Sequence, residues 1–104
     1  MSVSCYGMKS DGSRWVRVRL AEGEADFEHP DSMNVHEGNA RVLFLEALRL
    51  DPVEEHTFAC PELRRRIIRA RARLGSGSAV DLLGRLERCI VAFQARGATH
   101  VTWG

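Results

Sequence analysis

Long apolar runs are missing from this chain. The longest unbroken ones are Val42–Leu45 and Cys89–Phe93, far short of the ~20 residues that carry a helix across a bilayer, so no membrane span is expected. Residues Met1 to Lys9 mix Ser, Cys, Tyr and Gly, with no charged head followed by an apolar stretch, and so do not read as a secretory signal. The expected location is therefore cytoplasmic. Cysteine is sparse, and Cys5, Cys60 and Cys89 are odd in number and far apart. That is the wrong arithmetic for a disulfide-stapled domain, and reduced thiols are the simpler expectation. Lysine is almost absent: of 15 basic residues only Lys9 is not arginine. A GC-rich coding sequence produces the same bias as selection for planar, bidentate donors, so only the placement of the arginines carries information.

Motifs with a known mechanism are also wanting. No GxSxG, GxGxxG, Walker-type or HExxH pattern occurs, which removes the common hydrolase, dinucleotide, P-loop and zinc-protease readings. His56 and Cys60 are four residues apart but have no second close pair, where structural zinc draws on paired ligands. No metal and no cofactor is expected. Cys60 precedes Pro61-Glu62; as the N-cap of a helix its thiol would feel the dipole and drop in pKa, with His56 upstream as a base. Glu62 opposes that effect. No nucleophile, base and orienting group can be named together, so the chain is expected not to be an enzyme.

What is present suffices for one domain. At 104 residues with 44% hydrophobic and 28% charged side chains, the chain has a globular composition and is too short to divide into two useful cores. Val3, Cys5 and Gly7 alternate with Ser4, Tyr6 and Met8, and Ser10-Asp11-Gly12-Ser13 supplies turn chemistry. A second strand then puts Val16, Val18 and Leu20 on one face and Trp15, Arg17 and Arg19 on the other, as period-2 geometry requires. A short third strand is expected where Glu24, Asp26 and Glu28 alternate with Ala25, Phe27 and His29 before Pro30.

Three helices follow. Asn39 to Leu50 ends at Asp51-Pro52 and is apolar in nearly every direction, which marks it as central or as covered by a partner, including a second copy of the chain. The second opens at Cys60-Pro61-Glu62, carries the stripe Leu63, Ile67, Ala70 and Leu74, and stops at Gly75-Ser76-Gly77. The third opens on a capping box, Ser78 with Asp81, buries Leu82, Leu83, Leu86, Cys89, Ile90 and Phe93, and stops at Gly97. Ala98 to Trp103 reads as a closing strand that must join the N-terminal strands to satisfy its backbone. The expected fold is α+β: a small, mostly antiparallel sheet of N-terminal strands plus the C-terminal strand, with three helices on one face.

Charge placement is the one feature above background. Between Leu20 and Ala40 stand six acids and no Arg or Lys, whereas Arg64, Arg65, Arg66, Arg69, Arg71 and Arg73 follow one another with no acid among them. Glu62 can pair with Arg66 one turn on. The remaining five, with Ile68 as a small apolar centre, form the expected partner-binding face. Three readings compete: a solvated face pairing in part with the acidic segment of the same molecule, a surface for an acidic protein partner, and a nucleic-acid surface on the same helix. The protein-partner reading, in a small regulator, inhibitor or immunity-type protein, also uses Val42 and Leu45, which share an arc with Arg41 and Arg49. A sequence pI near 7.8 counts against a dedicated nucleic-acid binder on that helix.

If the closing strand completes the sheet, deleting Ala98 to Gly104 will abolish cooperative thermal unfolding of the whole domain. Unfolding at an unchanged temperature would show the segment to be a tail.

Overall fold

The computed structural model describes residues 3–20 and 32–104. The expected strand around Glu24 to His29 lies outside them. Five strands form one sheet: β1 (Val3–Asp11), β2 (Arg14–Arg17), β3 (Met33–Val35), β4 (Thr57–Ala59) and β5 (His100–Trp103). β1 is the spine. One of its edges pairs antiparallel with β2 through Met8↔Arg17 to Asp11↔Arg14, and with β3 through Val3↔Val35 to Cys5↔Met33. The other edge takes β5, Cys5 opposite Trp103 and Met8 opposite His100, and β4 closes the sheet beyond it. The closing strand thus joins the N-terminal strands as its backbone requires. Two short strands, β3 and β4, were not foreseen. Three residues carry too little alternation to be read, and both exist only because a longer neighbour offers its edge.

The β1–β2 hairpin turns at Gly12, whose φ of 68° suits a residue without Cβ. Beyond β2 the alternation persists: the Val18 N–H still donates to the Gly7 carbonyl at 2.8 Å, and Val18 and Leu20 are buried.

The first helix begins as α1 (Glu37–Ala40) and continues into a π-wound stretch, Arg41–Leu48, in which backbone bonds reach back five residues instead of four. It starts and ends two residues earlier than the sequence suggests. Leu43, Phe44, Ala47 and Leu48 are buried, while Leu45 is 49% exposed and Val42 half-buried. Of the two roles its composition allowed, the central one is realised: Phe44 meets Trp103 with ring centroids 4.9 Å apart, and Trp103 stacks on Phe58 at 5.6 Å.

Helix α2 (Cys60–Leu74) buries Cys60, Leu63, Ile67 and Ala70 and ends at Gly75, φ 77°. Leu74, expected in that stripe, is exposed where the helix runs past the core. Helix α3 (Ser78–Ala95) buries Leu83, Leu86, Cys89, Ile90 and Phe93. Its expected capping box is absent: Gly77 is the N-cap, Ser78 is already helical, and no side chain caps the end. At the other end Gly97, φ 93°, turns the chain, with the Ala98 N–H donating to the Phe93 carbonyl at 3.0 Å. The fold is the expected small α+β arrangement. Among the described residues no helix is long and apolar enough to cross a membrane.

The helices rest on one face of the sheet, the face of Cys5, Gly7, Val101 and Trp103, all buried. Gly7 is indispensable there. A Cβ at this position would stand 2.5 Å from Cγ and 2.7 Å from Cβ of Phe93, inside any tolerable contact, and Phe93 is itself fully buried.

Gly7→Ala is therefore expected to lower stability by about 1–3 kcal/mol through overpacking. Phe93→Leu should relieve part of that loss in the double variant, a coupling that denaturant titration of the four-member cycle measures. Strict additivity would place the strain elsewhere.

Candidate partner-binding groove

Along α2 the side chains divide by direction. The flank that faces the π-wound stretch carries Glu62, Arg65, Arg66, Arg69 and Arg73, spaced in steps of three and four so that they fall on one side of the helix. Ala47, Leu48 and Arg49 form the opposite wall and Ala70 lies between, enclosing an open groove of about 550 Å³. Among the described residues, five arginines and a single carboxylate, Glu62, line it.

Two of these cations are held and three are not. Arg66 is fixed twice: Nη2 lies 3.6 Å from Oε1 of Glu62, and its guanidinium sits 4.9 Å above the Phe58 ring. Arg73 donates from Nη2 to the Ala47 carbonyl at 2.6 Å, satisfying one of the acceptors a helix C-terminus leaves open and tying the two walls together. The side chains of Arg49, Arg65 and Arg69 have no hydrogen-bond or ion-pair partner among the described residues. Arg49 is also the only described non-glycine residue with positive φ, 56°. Helices commonly end on glycine in this left-handed conformation; an arginine there costs about 1–2 kcal/mol and places a cation at the mouth of the groove.

The other flank of α2 faces α3. Arg64 Nη1 donates to Oε1 of Gln94 at 3.3 Å, and its Nε is buried without a partner. Arg71 Nη1 pairs with Oε2 of Glu87 at 3.4 Å. These two bridges set an antiparallel register that brings Ile68, 57% exposed, level with the exposed Val91. Of the expected face, then, Arg65, Arg69 and Arg73 meet in the groove, Arg64 and Arg71 turn to α3, and Ile68 stands on the shoulder above the α2–α3 seam. The groove also recruits Arg66, set aside in sequence as the partner of Glu62, and Arg49. The four-residue spacing of Arg65, Arg69 and Arg73 was a readable signal; Arg49 joins only through the packing of two helices.

The thiols behave as core groups. Burial pushes Cys5 up to about 12, an effect the neighbouring Cys89 reinforces and Arg85 opposes. Burial likewise raises Cys60, against its backbone hydrogen bond and Arg64. The expected helix-dipole depression is corrected on both counts: Ala59, not Cys60, is the N-cap, and the Cys60 side chain is fully buried. His56 is exposed, with Nδ1 3.3 Å from the Thr57 hydroxyl. Among the described residues no group of three or more His, Cys, Asp or Glu is placed to hold a metal.

Comparison with protein-family models, with curated proteins and with solved structures finds no match.

The thiol chemistry yields a pH dependence. Unfolded Cys5 loses its proton near its ordinary value of 9.0 while the folded thiol keeps it to about 12, so the folded state binds more protons in that window and stability falls as pH rises through it. The melting temperature is expected to fall between those values. Cys5→Ala should flatten that part of the profile, and an identical profile in the variant would assign the fall to other groups.

Proposed function

We propose that this chain is a small, non-enzymatic protein-interaction module, of the regulator, inhibitor or immunity type, that receives an acidic segment of a protein partner in the arginine-lined groove. The observation that carries this reading is the convergence of five guanidiniums from two elements on one concavity whose single carboxylate among the described residues already serves Arg66. Arg65, Arg69 and Arg73 repel one another at one-turn spacing, each like-charge pair costing about 0.2–0.5 kcal/mol. That repulsive term is offset in part at Arg73 by its hydrogen bond to Ala47, whereas Arg65 and Arg69 gain no such contact among the described residues. A bound carboxylate reverses the sign of that term, and planar guanidiniums match it with two parallel hydrogen bonds. Apolar lining from Ala47 and Leu48 on one wall and Ala70 between suits a segment that carries small apolar side chains between its acids.

Nucleic-acid binding by the same helix is the competing reading. It fits a convex stripe of free cations better than a short concavity two helices wide, and Arg64 and Arg71, which would extend the stripe, are turned to α3.

Arg65→Glu/Arg69→Glu is the decisive variant. It is expected to stay folded, with stability within about 1 kcal/mol of wild type, and to lose at least about tenfold in affinity for a synthetic Glu/Ala/Leu peptide measured by calorimetry. Unchanged affinity would remove the groove from the interface. Displacement of the peptide by duplex DNA, with a steep log-linear loss on added salt, would favour the nucleic-acid reading.

A further inference from the structure

The side of the sheet away from the helices carries a second, independent constellation. Register places Tyr6, Met8, Trp15, Arg17, His100 and Thr102 on this face. The guanidinium of Arg17 lies over the Tyr6 ring, 3.9 Å from its centroid. Trp15 reaches across β1 to meet His100 edge to face, centroids 4.9 Å apart, yet remains 54% exposed. Two π-stations therefore share this face: Trp15 stands opposite Ser10, four residues along β1 from Tyr6, or about 13 Å, and Arg17, two residues from Trp15 on β2, fills the interval.

We propose that this helix-free face is a stacking platform for single-stranded nucleic acid. Unstacked bases seek aromatic rings and guanidinium planes, and every base offers a π-face, so such a platform needs no base-specific donors. The occupant must also be anionic. Arg17 and the exposed Arg19 that follows it are the formal charges on this side of the β1–β2 ribbon, and the face-directed strand positions among the described residues hold no Asp or Glu. A polyanion with unpaired bases answers both the charge and the rings. A second copy of the chain stacked on a two-fold axis would instead bring these cations towards one another. Hydroxyls at Thr57 and Thr102, whose oxygens lie 3.1 Å apart, continue the polar surface across β5 and β4. The helices and the arginine groove lie on the opposite side of the sheet, so this surface does not depend on the groove reading.

The experiment titrates the full chain into a short fluorescein-labelled oligothymidylate at low salt and follows anisotropy together with tryptophan emission. Trp103 is buried and serves as the internal reference, so quenching reports Trp15. Wild type is expected to bind the single strand, with Trp15 quenched, and to bind a duplex of equal length more weakly. Trp15→Ala and Arg17→Ala should each weaken binding about tenfold or more, the scale of one lost stack, while Trp15→Phe keeps most of it and confirms that the fold tolerates change there. Arg65→Glu/Arg69→Glu should bind the oligonucleotide as wild type does. Absence of binding at low salt overturns the proposal, as does equal affinity in Trp15→Ala. Preference for duplex, or loss confined to the groove variant, would assign binding to phosphate contacts elsewhere. Sedimentation showing a wild-type dimer that Trp15→Ala dissociates would assign the face to a second copy.

Discussion

The approach of α3 to β1 at Gly7 is the contact on which the rest of the molecule depends. Without a side chain at Gly7, the Phe93 ring lies directly on the backbone of the central strand, and close packing of this kind leaves no slack for relaxation. Once Phe93 is seated, Cys89, Ile90 and Leu86 of the same helix are committed to the sheet, and Cys5, on the same side of β1 as Gly7, is sealed beneath them. The helical layer is thereby fixed to one face. The other face, left to solvent among the described residues, is free to display Trp15, Tyr6 and His100.

The first helix closes the far end of this layer through aromatic rings. Phe44, Trp103 and Phe58 follow one another in contact, and the Arg66 guanidinium covers the last. This chain of π-contacts joins the core to the groove: the cation that ends it also holds Glu62, the one carboxylate among the described residues that line the groove. The π-winding of Arg41–Leu48 and the left-handed turn at Arg49 complete the second wall. Wide helical turns and non-glycine left-handed residues both cost energy and gather at sites where something other than stability is served.

Arginine is the residue that makes such a distribution possible. Its charge does not titrate away when several guanidiniums converge, it stacks on Phe58 and Tyr6, and it donates to carbonyl, carboxamide and carboxylate within one helix. A lysine series would make fewer of these contacts and would lose charge under mutual repulsion more readily. The near-neutral formal charge of +1 conceals this local polarity.

The sequence by itself determined the class of fold, because its signals were local: alternation at Val3 to Met8 and Trp15 to Leu20, the Leu63, Ile67 and Ala70 stripe, the proline and glycine stops, and the need of Val101 and Trp103 for strand partners. It also marked α2 as the cationic element. It could not show β3 and β4, whose pairing is borrowed from longer neighbours, nor that Gly77 caps α3. Tertiary structure alone decided which arginines act together. Arg64 and Arg71 differ from Arg65 and Arg69 by their direction around one helix, and that direction acquires meaning only when α3 fills one flank and the π-helix the other. Arg49 is far from the cluster in sequence and reaches it because two helices pack side by side.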